Sequence, residues 1–101
     1  MEATANEATA PRYVRASLRH FVSQATTVSD LPADWTVEQA TREIVRALGL
    51  PSRDPEDRPQ HFELFVRRPN GTAEALRPTD RVDEAVRDGD ELSPLPEVTP
   101  G

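Results

Sequence analysis

The sequence predicts a two-layer α+β domain in which one amphipathic helix packs on a mixed sheet of four to five strands. Three observations carry that prediction. Several short stretches alternate apolar and polar residues, one stretch repeats its apolar residues at helical spacing between start and stop signals, and no second long helix is present to cover it. A helix with a single buried stripe needs a sheet to bury it against.

The first strand starts at Tyr13. Val14, Ala16 and Leu18 share one face, and Tyr13, Arg15, Ser17, Arg19 and Phe21 the other. A second extended stretch, Ala25 to Leu31, is rich in β-branched residues, and the short Phe21 to Gln24 link suits a hairpin. Val28 and Leu31 lie three apart, so a bulge or an early strand end is expected between them.

The helix follows. Thr36 to Gln39 has the capping-box pattern, in which each residue's side chain bonds the other's backbone N–H. Val37, Ala40, Ile44, Val45 and Leu48 form the buried stripe, and Gly49 supplies the left-handed stop. Residues 51–60 hold three prolines among charges and read as a long polar loop. Phe62, Leu64 and Val66 then face inward on a third strand that ends at the Pro69-Asn70-Gly71 turn. Ala73 to Leu76 is a short extended piece. Thr79 to Ala85 suits one helical turn with Val82 and Ala85 inward, and Arg87 to Asp90 turns into a last strand at Glu91 to Ser93. Pro94 and Pro96 remove donors and are expected to end the pairing there.

Composition bounds the rest. The chain has 101 residues, 36% hydrophobic and 30% charged, with 10 prolines, so one domain is expected and only part of the chain builds its core. The divisions read from the sequence are a disordered arm over 1–11, a domain over 12–93 and a flexible tail over 94–101. A net charge of -6 argues against nucleic acid or an anionic membrane as partner. All 12 basic residues are Arg, for which a GC-rich coding bias is the simplest account. Without Cys there is no disulfide, thiolate zinc site or thioester on the chain itself, and without Lys no side-chain amine for a Schiff base or isopeptide bond. No apolar run is long enough to span a bilayer and no secretory signal is visible, so a cytoplasmic monomer is expected.

The element order, with Leu31-Pro32-Ala33-Asp34-Trp35-Thr36-Val37 entering the helix and Val86-Arg87-Asp88-Gly89-Asp90-Glu91-Leu92 entering the last strand, resembles the ubiquitin-like β-grasp family over about Tyr13 to Ser93. Within it, these two segments look most like small bacterial members, including those of type VII secretion loci. The resemblance implies a sheet curled around the helix, the last strand lying between the first and third, and a domain that works by being bound. It also implies two candidate sites. One is Gly101, whose carboxylate a nucleotide-using partner enzyme would activate and conjugate to a target; Gly, lacking Cβ, suits a narrow catalytic slot. Members that are conjugated usually end in Gly-Gly, whereas this sequence ends Thr99-Pro100-Gly101.

The other site is the uncovered face of the sheet, where Arg15, Arg19, Phe65 and Arg67 would place one aromatic among guanidinium groups, with Tyr13 or Phe21 at the margin. Asp80, Asp83, Glu84, Asp88, Asp90 and Glu91 read as a charged surface around turns, without the spacing of a calcium loop. His20 and His61 lack a nucleophile or metal partner at a useful spacing, and no Gly-rich phosphate loop exists. Neither enzymatic activity, metal nor cofactor is expected. The leading expectation is therefore a modifier joined through Gly101. The alternative is a non-covalent module, such as a type VII secretion accessory, and a sulfur carrier comes third.

Overall fold

In the computed structural model, which describes residues 12–97, five strands and two helices follow in the order β1 (Tyr13–Arg19), β2 (Thr26–Pro32), α1 (Val37–Ala47), β3 (Phe62–Arg67), β4 (Ala73–Ala75), α2 (Val82–Ala85) and β5 (Glu91–Pro96). The sheet order is β2-β1-β5-β3-β4. β5 runs parallel to β1 and antiparallel to β3, which makes the sheet mixed and puts the last strand between the first and third. The arm expected over 1–11 and the end of the tail, 98–101 with Gly101, lie outside the described residues.

One core joins the layers. Val14, Ala16 and Leu18 of β1, Leu31 of β2, Leu64 and Val66 of β3 and Leu92 of β5 are buried against Val37, Ala40 and Ile44 of α1. Each of the Val, Leu and Ile side chains among them contributes about 1.5–3 kcal/mol relative to exposure. Trp35 and Leu48 pack half-buried against this core.

Both ends of α1 are satisfied as the sequence predicts. Gln39 N–H donates to Thr36 Oγ1 at 3.2 Å and Thr36 N–H to Gln39 Oε1 at 2.9 Å. At the other end Gly49, at φ +69°, lets its own N–H reach Arg46 O and the Leu50 N–H reach Val45 O. The chain entering α1 is also tied to the segment before β5: Val37 N–H donates to Asp80 O, Val82 N–H to Trp35 O and Asp83 N–H to Ala33 O. The turn of α2 thereby buries Val82 and Ala85 beside α1.

Three expectations are corrected, those for β2, for Asp90 and for the last strand, and one, the 51–60 loop, gains detail. The bulge expected in β2 is absent: Tyr13↔Pro32 through Arg19↔Thr26 pair without interruption. Val28 simply takes the outer face, 62% exposed, while Leu31 is buried, because a strand edge can leave one β-branched residue in water at little cost. Residues 51–60 are a loop as expected, and one closed on itself. Asp54 Oδ1 accepts from the Glu56 and Arg58 N–H groups, and Gln60 N–H donates to Ser52 O. Asp90 is not part of an exposed acidic surface but is 1% exposed.

The remaining correction concerns the C-terminal strand. β5 does not end at Ser93; it continues to Pro96, with Leu64↔Pro94 and Phe62↔Pro96 in register. Ladder parity explains how two prolines fit. Glu97 N–H donates to His61 O, so odd-numbered residues of β5 bond to β3, and even-numbered ones turn their nitrogens to the opposite edge. There β1 pairs only as far as Leu18↔Leu92, so Pro94 and Pro96 withhold donors from an edge that has no strand to receive them. The ring of Pro94 is fully buried and joins the core.

Candidate functional site

The outer face of the sheet carries the odd-numbered residues of β1, β3 and β5 together with the even-numbered residues of β2. All four surface residues singled out in the sequence, Arg15, Arg19, Phe65 and Arg67, lie on it. They do not form one ring. Phe65, half-buried, stands between Ser93 of β5 and Ala75 of β4, and Arg67 stands between Glu91 and Ala73. Its two directly paired neighbours, Ser93 and Ala75, are small, and Phe65 keeps part of its surface in solvent.

The basic groups differ in how far they are committed. Arg15 Nε meets Asp30 Oδ1 at 2.9 Å across β1 and β2, and its backbone N–H donates to Asp88 Oδ1 at 2.8 Å. The hydrogen bond between Arg15 and Asp30, reinforced by their charges, holds the Asp30 carboxyl below and the Arg15 guanidinium above their usual values. Arg19 lies 3.5 Å from Glu91 and also meets the Gln24 side chain. Arg67 has no ion pair among the described residues. The cation available to a partner beside Phe65 is therefore Arg67, while Arg15 sits at the far end of β1 with its charge largely met.

The structure adds a residue that the sequence reading omits. Because β5 continues past Ser93, Leu95 lies on the outer face opposite Glu63, diagonally next to Phe65. Phe65 and Leu95 make one apolar spot spanning two central strands. The signal for it was available in the two-residue spacing of Pro94 and Pro96, which places both missing donors on one edge and lets the strand go on. Tyr13, 55% exposed, lies at the opposite corner of the face beside Pro32. Phe21 is in the β1–β2 turn, its ring stacked on His20 at 5.7 Å.

The remaining carboxylates do not converge. Among the described residues no three His, Asp or Glu side chains gather as a metal site. Asp83 pairs with Arg81 at 2.9 Å, Asp88 caps the β1 backbone and Asp90 is enclosed with Arg68. His20 Nδ1 accepts from the N–H groups of Val22 and Ser23, which occupies that nitrogen in holding the turn.

A mixed sheet of this strand order, folded over one helix and joined to it through the segment before the last strand, defines the class: the chain has the ubiquitin-like β-grasp fold. Solved structures of that class superpose on it over most of its length. The C-terminal ubiquitin-like domain of mouse tubulin-specific chaperone e does so with a TM-score of 0.65 at 15% identity, covering 91% of this chain and 94% of that one. The ubiquitin of Caldiarchaeum subterraneum matches with a TM-score of 0.55 at 15% identity, over 89% of this chain and all of that one. A chain of the ESX-5 inner membrane complex matches with a TM-score of 0.57 at 19% identity, over 90% of this chain but 22% of that one. Likeness at these identities is one of fold. No protein-family model and no curated protein matches the chain. No helix among its described residues is long and apolar enough to cross a membrane.

Proposed function

We propose that this module works by non-covalent binding, and that a protein partner docks on the outer face around Phe65, Leu95 and Arg67. The observation that carries this reading is the apolar spot on two central strands, flanked by small residues and by an uncommitted guanidinium. Aromatic and Arg side chains are among the types that dominate protein interfaces. The partner class favoured by the resemblance of the helix entry and of the last turn is a component of a type VII secretion assembly, in keeping with the fold shared with part of the ESX-5 inner membrane complex.

The conjugation reading rests on Gly101, outside the described residues. Pro94 to Pro96, which that reading assigned to a free tail, belong to the sheet.

One experiment separates the two. Tagged protein is isolated from its host under native and denaturing conditions, as wild type, as Phe65→Ala and without Gly101. Partners lost on native capture of Phe65→Ala alone support the binding module. Heavier adducts that survive denaturation and vanish without Gly101 support the modifier instead.

A further inference from the structure

The outer edge of β2 has no strand beside it among the described residues. Ladder parity identifies the groups this edge presents. His20 N–H donates to Ala25 O at 2.9 Å and Ala33 N–H to Arg12 O at 2.8 Å, so odd-numbered residues of β2 bond to β1. Thr26, Val28 and Asp30 therefore turn their N–H and C=O groups outward, and Pro32, lacking N–H, closes that ladder. Sheet edges are ordinarily guarded by bulges, Lys or inward charges. β2 has no bulge, Val28 stands 62% exposed at its middle, and Asp30, its one charge, is met by Arg15 at 2.9 Å.

We infer that this edge takes a second copy of this chain, with two β2 strands antiparallel about a two-fold axis at Val28. That register is self-complementary, as a two-fold interface requires. Thr26 stands opposite Asp30 of the second copy, Val28 opposite Val28, and Asp30 opposite Thr26, each pair closing two main-chain hydrogen bonds. Every open residue of the ladder is used. On the same face the two Val28 side chains meet as a β-branched pair, and each Thr26 hydroxyl reaches a carboxylate whose charge Arg15 already balances. Shifting the axis to Asp30 sets two carboxylates against each other, and shifting it to Thr27 leaves Asp30 of both copies without a pair.

The interface is one strand edge, so association is weak and concentration-dependent. Each chain carries a net charge of -6, so the copies repel at long range and added salt strengthens the dimer.

The full chain is tested by equilibrium sedimentation over a concentration series into the millimolar range, at low and raised salt. The average mass is expected to rise from one chain towards two, more readily at raised salt, and to stay at one chain in Val28→Arg, where two guanidiniums would face each other. Val28 is exposed, so circular dichroism of Val28→Arg should match wild type. The chain has no Cys, which allows a register test. Thr27 and Ser29 of the second copy form a non-hydrogen-bonded pair, about 4.5 Å between Cα atoms in such ladders and within reach of a disulfide. Mixing Thr27→Cys with Ser29→Cys chains should give a heterodimeric disulfide in excess of either homodimer. A wild-type mass that stays at one chain throughout overturns the proposal and leaves the edge to a strand of another protein. Equal association by Val28→Arg, or no preference for the heterodimer, overturns it as well.

Discussion

Asp90, 1% exposed, holds Arg68 in an ion pair between the start of β5 and the end of β3. The same carboxylate accepts the Arg87 N–H at 2.9 Å, while the guanidinium also donates to Ala85 O at 3.1 Å and to Glu74 Oε1 at 3.0 Å. One buried group thus fastens the last turn, the end of α2 and β4 to a single side chain. Burial alone would lower the Arg68 pKa, but the hydrogen bonds and charges of Asp90 and Glu74 outweigh it and hold it above its usual value.

Asp90→Ala removes the carboxylate and leaves Arg68 and the Arg87 N–H short of a partner. Arg68 is a quarter exposed and keeps Glu74, so the expected loss is about 2–3 kcal/mol, below the range for a fully enclosed pair. Urea unfolding measures it. A smaller loss for Asp90→Asn, which keeps an acceptor for Arg87, would separate the hydrogen bond from the charge.

Thr36→Ala deletes one half of the capping box and should cost about 1 kcal/mol. The companion change Gln39→Ala leaves the Thr36 N–H unpaired, and the two effects should be non-additive because they break one reciprocal pair. Denaturant midpoints of the single and double variants check this.

The parity of β5 makes a sharp contrast at position 93. Ser93→Pro deletes a donor directed at β3 opposite Phe65 and should destabilise by about 1–3 kcal/mol, whereas Ser93→Ala should stay within about 0.5 kcal/mol. Equal stability of the two variants would contradict the register.

Strong acid should loosen the 51–60 loop. Hydrogen bonds to the Asp54 carboxylate from the Arg58 and Glu56 backbone, with the Arg58 charge and side chain behind them, hold Asp54 below the usual carboxylate range. A carboxyl whose folded pKa is depressed stabilises above its unfolded value and loses that contribution as pH falls through the folded one. Amide shifts of Glu56 and Arg58 should therefore titrate together at a pH below the ordinary Asp value. Since the largest contribution is the Arg58 backbone N–H, Arg58→Ala should retain most of the depression.

Binding should separate the guanidiniums of the outer face. Phe65→Ala and Leu95→Ala should each weaken the captured partner by about 2 kcal/mol if they form one anchor, and Arg67→Glu should weaken it too. Arg15→Glu should change little, because Arg15 is already engaged by Asp30 at the far end of β1. Titration calorimetry against the purified partner reads all four.

Local chemistry alone determined much of this molecule. The alternation in β1 and β3, the stripe and caps of α1, the inward Val82 and Ala85, and hence one helix on a mixed sheet all follow from side-chain period and from backbone groups satisfied within a few residues. Tertiary structure decided what depends on a neighbouring strand. Whether a proline ends a strand depends on which edge its nitrogen faces, so Pro94 and Pro96 stayed in β5 and put Leu95 beside Phe65. Whether an acidic residue is surface or core depends on a cation distant in sequence, so Asp90 was buried by Arg68. The charge left free on the outer face is likewise a property of cross-strand register: Asp30 and Glu91 engage Arg15 and Arg19, and Arg67 is the guanidinium beside Phe65 with no ion pair among the described residues.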